Sequence, residues 1–237
     1  MNAIYCGPAP LPQEIWGSWN FDPVLLLALV GLGVTLRREP AGIAAVALLF
    51  LAFVSPLCAL SSALFSARVV HHVILIVGAA PLLALVSQHR VRSGVALPFA
   101  VSTIILWLWH HPVAYDLALS NVAVYWLMQL SLLGSAIWFW KAVYTAEVSP
   151  VERFLFVLFS FAQMGMLGAV LTFAPTALYA AHSIAPFDWG LTPLRDQQLG
   201  GLIMWVPAGV PYAAIAALLA RRSWGRLKED MACRTGS

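Results

Sequence analysis

Six histidines stand in this 237-residue chain, and four of them come as two adjacent pairs. His71 and His72 lie in "FSARVVHHVILIV", and His110 and His111 in "WLWHHP". Imidazole suits copper, zinc and iron, thioether and thiolate select cuprous copper, and a carboxylate can complete such a site. Each pair stands at the end of a long apolar run, where ionisable groups are costly and tend to serve function. Neighbouring residues point about 100° apart around a helix. One histidine of each pair is therefore expected to face the bundle, and the other lipid headgroups or another helix.

The elements that must position these groups follow from composition. The chain is 61% hydrophobic and 10% charged, with a mean hydropathy of +0.84. Soluble chains carry about a quarter charged residues, so this one reads as an integral membrane protein of one domain. The bilayer and other membrane proteins are its expected partners, not nucleic acid. Apolar runs at about 23–36, 41–60, 67–87, 95–111, 121–143, 152–175 and 198–220 predict an all-α, polytopic bundle of about seven transmembrane helices. Barrel strands would alternate over about ten residues instead. An N-terminal segment, 1–22, precedes the transmembrane domain, 23–220, and a basic tail, 221–237, follows it. Residues 1–22 hold no Lys or Arg and do not read as a signal peptide.

Charge sets the orientation. With the N-terminus outside, the inner segments hold eleven Lys and Arg and the outer ones only Arg68 and Arg195. Positive excess marks the cytoplasmic side, so the N-terminus is expected outside and the C-terminus inside. That orientation gathers His71, His72, His110, His111 and His182 at the outer face, and leaves His89 inside. Asp196 opens the last run in the same layer, with Met204 two turns below it on the same stripe. Gly200 and Gly201 permit close approach of a neighbouring helix. The expected ligands are His72, His110 and Asp196, with His71, His111, His182 and Met204 as further candidates.

Blander assignments compete. A lone histidine at a helix end can sit in the interface without binding anything, but two pairs on one face are harder to dismiss. Met164 and Met166, two apart and so on different faces, read as packing. Cys6, Cys58 and Cys233 form no CxxC and signal neither a disulfide framework nor a zinc finger. Cys58 reads as a small buried hydrophobe.

Three stretches, "FSARVVHHVILIVGAAPLLAL", "WHHPVAYDLAL" and "LTPLRDQQLGGLIMWVPAG", resemble the CtaG family of cytochrome c oxidase assembly proteins, the seven-helix membrane proteins. The likeness runs from about the second span to the seventh. It is carried most strongly by the D-Q-Q-x-x-G-x-x-x-W run from Asp196 to Trp205, and then by the W-H-x-P run from Trp109 to Pro112. The resemblance implies assembly of a haem–copper oxidase in the bacterial inner membrane, through copper delivery or maturation of the catalytic subunit, with no enzymatic activity. It matches His72 and His110 to the family's histidines, and Asp196, Gln197 and Gln198 to the last-span motif. It implies oxidase subunits, and other copper chaperones, as partners. Where the family has a further histidine one turn before His72, this chain has Arg68. A site needing that ligand would be incomplete in this chain, or would recruit His71, His111, His182 or Met204 instead. Two other readings stay open: a b-type haem held from two helices, and a ligand-free scaffold for oxidase subunits.

Overall fold

The computed structural model describes residues 5–87, 91 and 94–221, and among them the chain is helical with no strand. His89, Cys233 and the basic tail beyond Arg221 lie outside the described residues. The helices are α1 (Pro23–Thr35), α2 (Pro40–Phe53), α3 (Pro56–Ala63), α4 (Phe65–Val73), α5 (Ala80–Val86), α6 (Ala96–His110), α7 (Pro112–Ser120), α8 (Val122–Thr145), α9 (Pro150–Phe173) and α10 (Pro193–Trp205).

Proline decides where many of them start. Pro23, Pro40, Pro56, Pro112, Pro150 and Pro193 each occupy the first helical position, where the missing N–H costs nothing and the fixed φ is already helical. The side chains of Asp22, Ser55, Ser149 and Thr192, just before four of these prolines, accept hydrogen bonds from the first free backbone N–H groups.

The same prolines correct the expected span boundaries. The run 41–60 is not one straight helix: Ser55–Pro56 ends α2 and restarts the chain as α3, bent by 46°. The run 95–111 continues past Pro112 into α7, which turns away by 74°. The last helix begins at Pro193 rather than 198 and runs to Arg221 through a turn at 206–208. Among the described residues four helices are long and apolar enough to cross a bilayer: Phe65–Val86, Val122–Thr145, Pro150–Phe173 and Pro193–Arg221. Counting each bent pair as one span raises the number to six. The remaining expected span, the first at 23–36, corresponds to α1, whose 13 residues reach only about 20 Å of a hydrocarbon core about 30 Å thick.

Between α4 and α5 the chain makes a π turn, Ile74–Ala79. Pro81, with no N–H and a ring that crowds the carbonyl four residues before it, breaks the regular ladder at this point. Trp140 of α8 donates its indole N–H to the Ile76 carbonyl at 2.9 Å. The continuous element Phe65–Val86 runs through the interior. α10 packs against α4 and α9, α9 against α6, and α6 and α5 against α8. Glycine permits the tightest crossing, because a Cβ on Gly168 would come within 2.7 Å of the Gly201 carbonyl oxygen, and one on Gly200 within 2.6 Å of the Phe65 ring.

The N-terminal segment is tied to the histidine end of this bundle. A disulfide joins Cys6 to Cys58 of α3, with Cα atoms 5.2 Å apart. The scattered cysteines signal no disulfide framework in the sequence, and the fold brings these two together all the same. Tyr5 stacks on Tyr125 at 5.1 Å and donates to Asp22, the cap of α1, at 2.7 Å. Asn20 bonds the Phe53 and Val54 carbonyls, and Trp189 of the 174–192 loop bonds the Pro10 carbonyl. Segment and loop together roof the ends of the helices.

Candidate functional site

His72 and His110 come together. Their rings lie 6.2 Å apart at 73°, on α4 and on the last turn of α6, and both are buried. His110 Nδ1 lies 2.8 Å from the Leu106 carbonyl oxygen. A carbonyl only accepts, so Nδ1 carries the proton and Nε2 keeps its lone pair. His72 Nε2 is buried with no hydrogen-bond partner among the described residues. Buried polar atoms almost always find partners, and an orphan marks a site with unmet chemistry.

Both histidines line a small cavity of about 10 Å³ where α4, the π turn, α6, α9 and α10 meet. Met164 and Met204 line it too, and its remaining walls are aliphatic. Met204 was among the sequence candidates; Met164 was expected only to pack. Met164 is 2% exposed and Met166, two residues on, is 48% exposed, so the pair does divide between two faces of α9. A larger cavity of about 30 Å³ lies beside the first and shares Ile76, Leu106 and Met164 with it; Ser102, Thr103, Ser135 and Gln163 give it a polar wall.

Asp196 is used otherwise. Its carboxylate accepts from the backbone N–H groups of Phe65 (2.6 Å) and Ser66 (3.1 Å), and from the Ser66 hydroxyl at 2.5 Å. It therefore caps the N-terminus of α4, the helix that carries His72, where negative charge also suits the helix dipole. Among the described residues no hydrogen bond joins it to an imidazole. Gln197 performs a related task on the other side, accepting from Leu178 N at 2.7 Å and donating to the Leu171 carbonyl at 3.2 Å. It thus fastens the end of α9 and the loop beyond it to α10.

The remaining histidines part ways. His71 is fully buried, 5.7 Å from the His72 ring and edge-on to Phe53 of α2 at 4.9 Å, with neither nitrogen hydrogen-bonded among the described residues. It faces another helix, one of the two alternatives expected of it. His111 is exposed at the start of α7. His182 is buried in the loop, held by the Ala63 carbonyl at Nδ1 (3.2 Å) and the Tyr115 hydroxyl at Nε2 (2.7 Å). Burial first, and the Arg68 charge second, push its pKa down to about 3. Both of its nitrogens are engaged by protein.

Arg68 is wholly buried as well. Its Nε donates to the Ser61 carbonyl at 3.2 Å and its guanidinium lies over the Tyr125 ring, 5.3 Å from the centroid. Its Nη atoms, and both polar atoms of the Gln129 amide, have no hydrogen-bond partner among the described residues. The histidine end thus holds a polar interior beneath its roof. Gln129 carried no signal in the sequence, being one amide in an apolar run. The Cys6–Cys58 pairing did carry one, since charge counting places both cysteines at the same face.

The described residues contain no group of three or more His, Cys, Asp or Glu arranged to hold a metal. A site here would draw on two imidazoles and on sulfur. No curated protein and no solved structure matches the chain. The model of one protein family, described as cytochrome c oxidase caa3 assembly factor (Caa3_CtaG), matches residues 33–226. That stretch covers more than three quarters of the chain and takes in α2 to α10, every element that builds the histidine site, so this protein belongs to the caa3-type cytochrome c oxidase assembly factor family.

Proposed function

We propose that this chain assists assembly of a haem–copper oxidase by holding copper between His72 and His110 and passing it to the catalytic subunit. The observation that carries the reading is the approach of two buried imidazoles from different helices, one with a free Nε2 lone pair and the other with an orphaned Nε2. Neutral imidazole is a good copper ligand. Asp196 serves this site indirectly: it fixes the start of α4 and so the height of His72. The chain is a membrane-embedded assembly factor with no catalytic step of its own. Its partners are the oxidase subunits, and a copper chaperone that loads it.

The histidine end faces the outside of a bacterial inner membrane on this reading. The excess of Lys and Arg in the opposite segments supports that orientation. So does the disulfide, since such bonds persist in oxidising compartments and are rare in the cytosol.

The test is metal analysis of detergent-purified protein after copper loading, beside a His72→Ala/His110→Ala double variant. Near-stoichiometric copper in the parent and little in the variant is expected, with oxidase activity lowered in membranes that carry the variant at normal levels. Unchanged copper and unchanged oxidase in the double variant would remove the assignment.

A further inference from the structure

We propose that the ion is cuprous, and that the thioethers of Met164 and Met204 are its ligands together with His72 and His110; this rests on the copper reading above and names its chemistry.

Four helices converge on the small cavity, and each brings one donor. α4 brings His72, α6 His110, α9 Met164 and α10 Met204. About 10 Å³ of free space is room for one water-sized sphere and no more. The two methionines are buried, at 2% and 3% exposure. Aliphatic packing would explain one methionine in such a place, whereas here two methionines line one cavity with two histidines, one of which carries an orphaned ring nitrogen.

The donor set selects the ion. Two imidazoles and two thioethers are all neutral, and no carboxylate lines the cavity. Divalent ions favour sites that supply anionic or hard ligands, whereas thioether sulfur favours cuprous copper. The other walls include Val73, Ile76 and Leu106. In such apolar surroundings a second unit of charge is costly. Arg68, one turn before His72 and fully buried, adds a positive charge nearby. It opposes any cation, and a divalent one twice as strongly. The site therefore admits a monovalent ion and does not hold it irreversibly, as cargo requires.

The experiment is X-ray absorption at the copper edge on intact detergent-purified protein, loaded anaerobically with cuprous ion under ascorbate so that the disulfide stays closed. Sulfur and nitrogen scatterers are expected together. Met164→Leu/Met204→Leu should retain copper on nitrogen alone, with cuprous affinity lowered about tenfold or more. Leucine conserves volume and shape, and thermal unfolding checks that the variant folds. The wild-type spectrum needs no variant at all. Copper bound with nitrogen scatterers only would overturn the thioether assignment and leave the histidine reading standing. Zinc displacing cuprous copper at equal concentration would overturn the cuprous assignment. Protein that takes up no copper would overturn both this inference and the reading on which it rests.

Discussion

The rings of His72 and His110 stand 6.2 Å apart at 73°, yet no hydrogen bond joins them. His110 is held by the backbone of its own helix, while the Nε2 of His72 is unpaired. A buried polar atom without a partner costs about 1–3 kcal/mol. His72→Leu should therefore stabilise the metal-free protein, raising Tm by about 3 °C, while abolishing copper binding. Scanning calorimetry with and without copper measures both effects. A His72→Leu protein that melts below the parent would show that the imidazole has a structural partner.

Asp196 separates a ligand role from a capping role. Removing a carboxylate that takes two backbone N–H bonds and one hydroxyl bond should cost about 2–4 kcal/mol. Asp196→Ala is thus expected to melt earlier, yet to bind copper, while folded, within a few-fold of the parent. Loss of copper at unchanged stability would make Asp196 a ligand.

The Cys6–Cys58 bond fastens the roof. Cys6→Ser/Cys58→Ser should lose about 2–5 kcal/mol, and gain proteolytic cleavage within residues 7–22 while the bundle resists. Mass spectrometry of the non-reduced parent should find the two cysteines joined in one peptide pair.

Acid should loosen the loop through His182. Its native pKa of about 3 lies below the 6.5 of an unperturbed histidine. The unfolded chain therefore takes up a proton first as pH falls. The stability is fully present above 6.5 and is lost progressively from there down to 3. Between pH 6.5 and about 5 the loss from this residue is about 2 kcal/mol. His182→Gln should show a correspondingly shallower decline in Tm over that interval. Parallel declines in the two proteins would assign the acid sensitivity to the other buried imidazoles.

Much of the architecture was legible because it rests on local rules. Long apolar runs mark helices long enough to cross a bilayer. The histidine pairing was half legible: helical geometry requires His71 and His72 to diverge, but only tertiary packing brings His110 to His72 rather than to His71. Asp196 reads as a ligand in the sequence because a carboxylate level with histidines looks like one, and its hydrogen bonds to Phe65 and Ser66 were not legible because they need α10 to lie beside the start of α4. Gly200 hinted at that approach, since its missing Cβ is what lets the Phe65 ring sit against α10. The breaks at Pro56 and Pro112 were hidden by hydropathy, although a proline after Ser55 or His111 is itself a helix-start signal. Met164 could not be told from packing by spacing along one helix, because its cavity is assembled from four.

The disulfide also closes a ring of chain from residue 6 to residue 58 that contains α1 and α2. The thiols can meet only if both lie on one side of the bilayer, so α1 and α2 between them must either both cross or both stay out. A molecule in which only one of the two helices had crossed would keep them apart. The bond thus reports threading by exclusion: a molecule with a single one of its first two helices across the membrane is not counted in the oxidised fraction of newly made chain. Thiol labelling of Cys6 during synthesis would read that count directly.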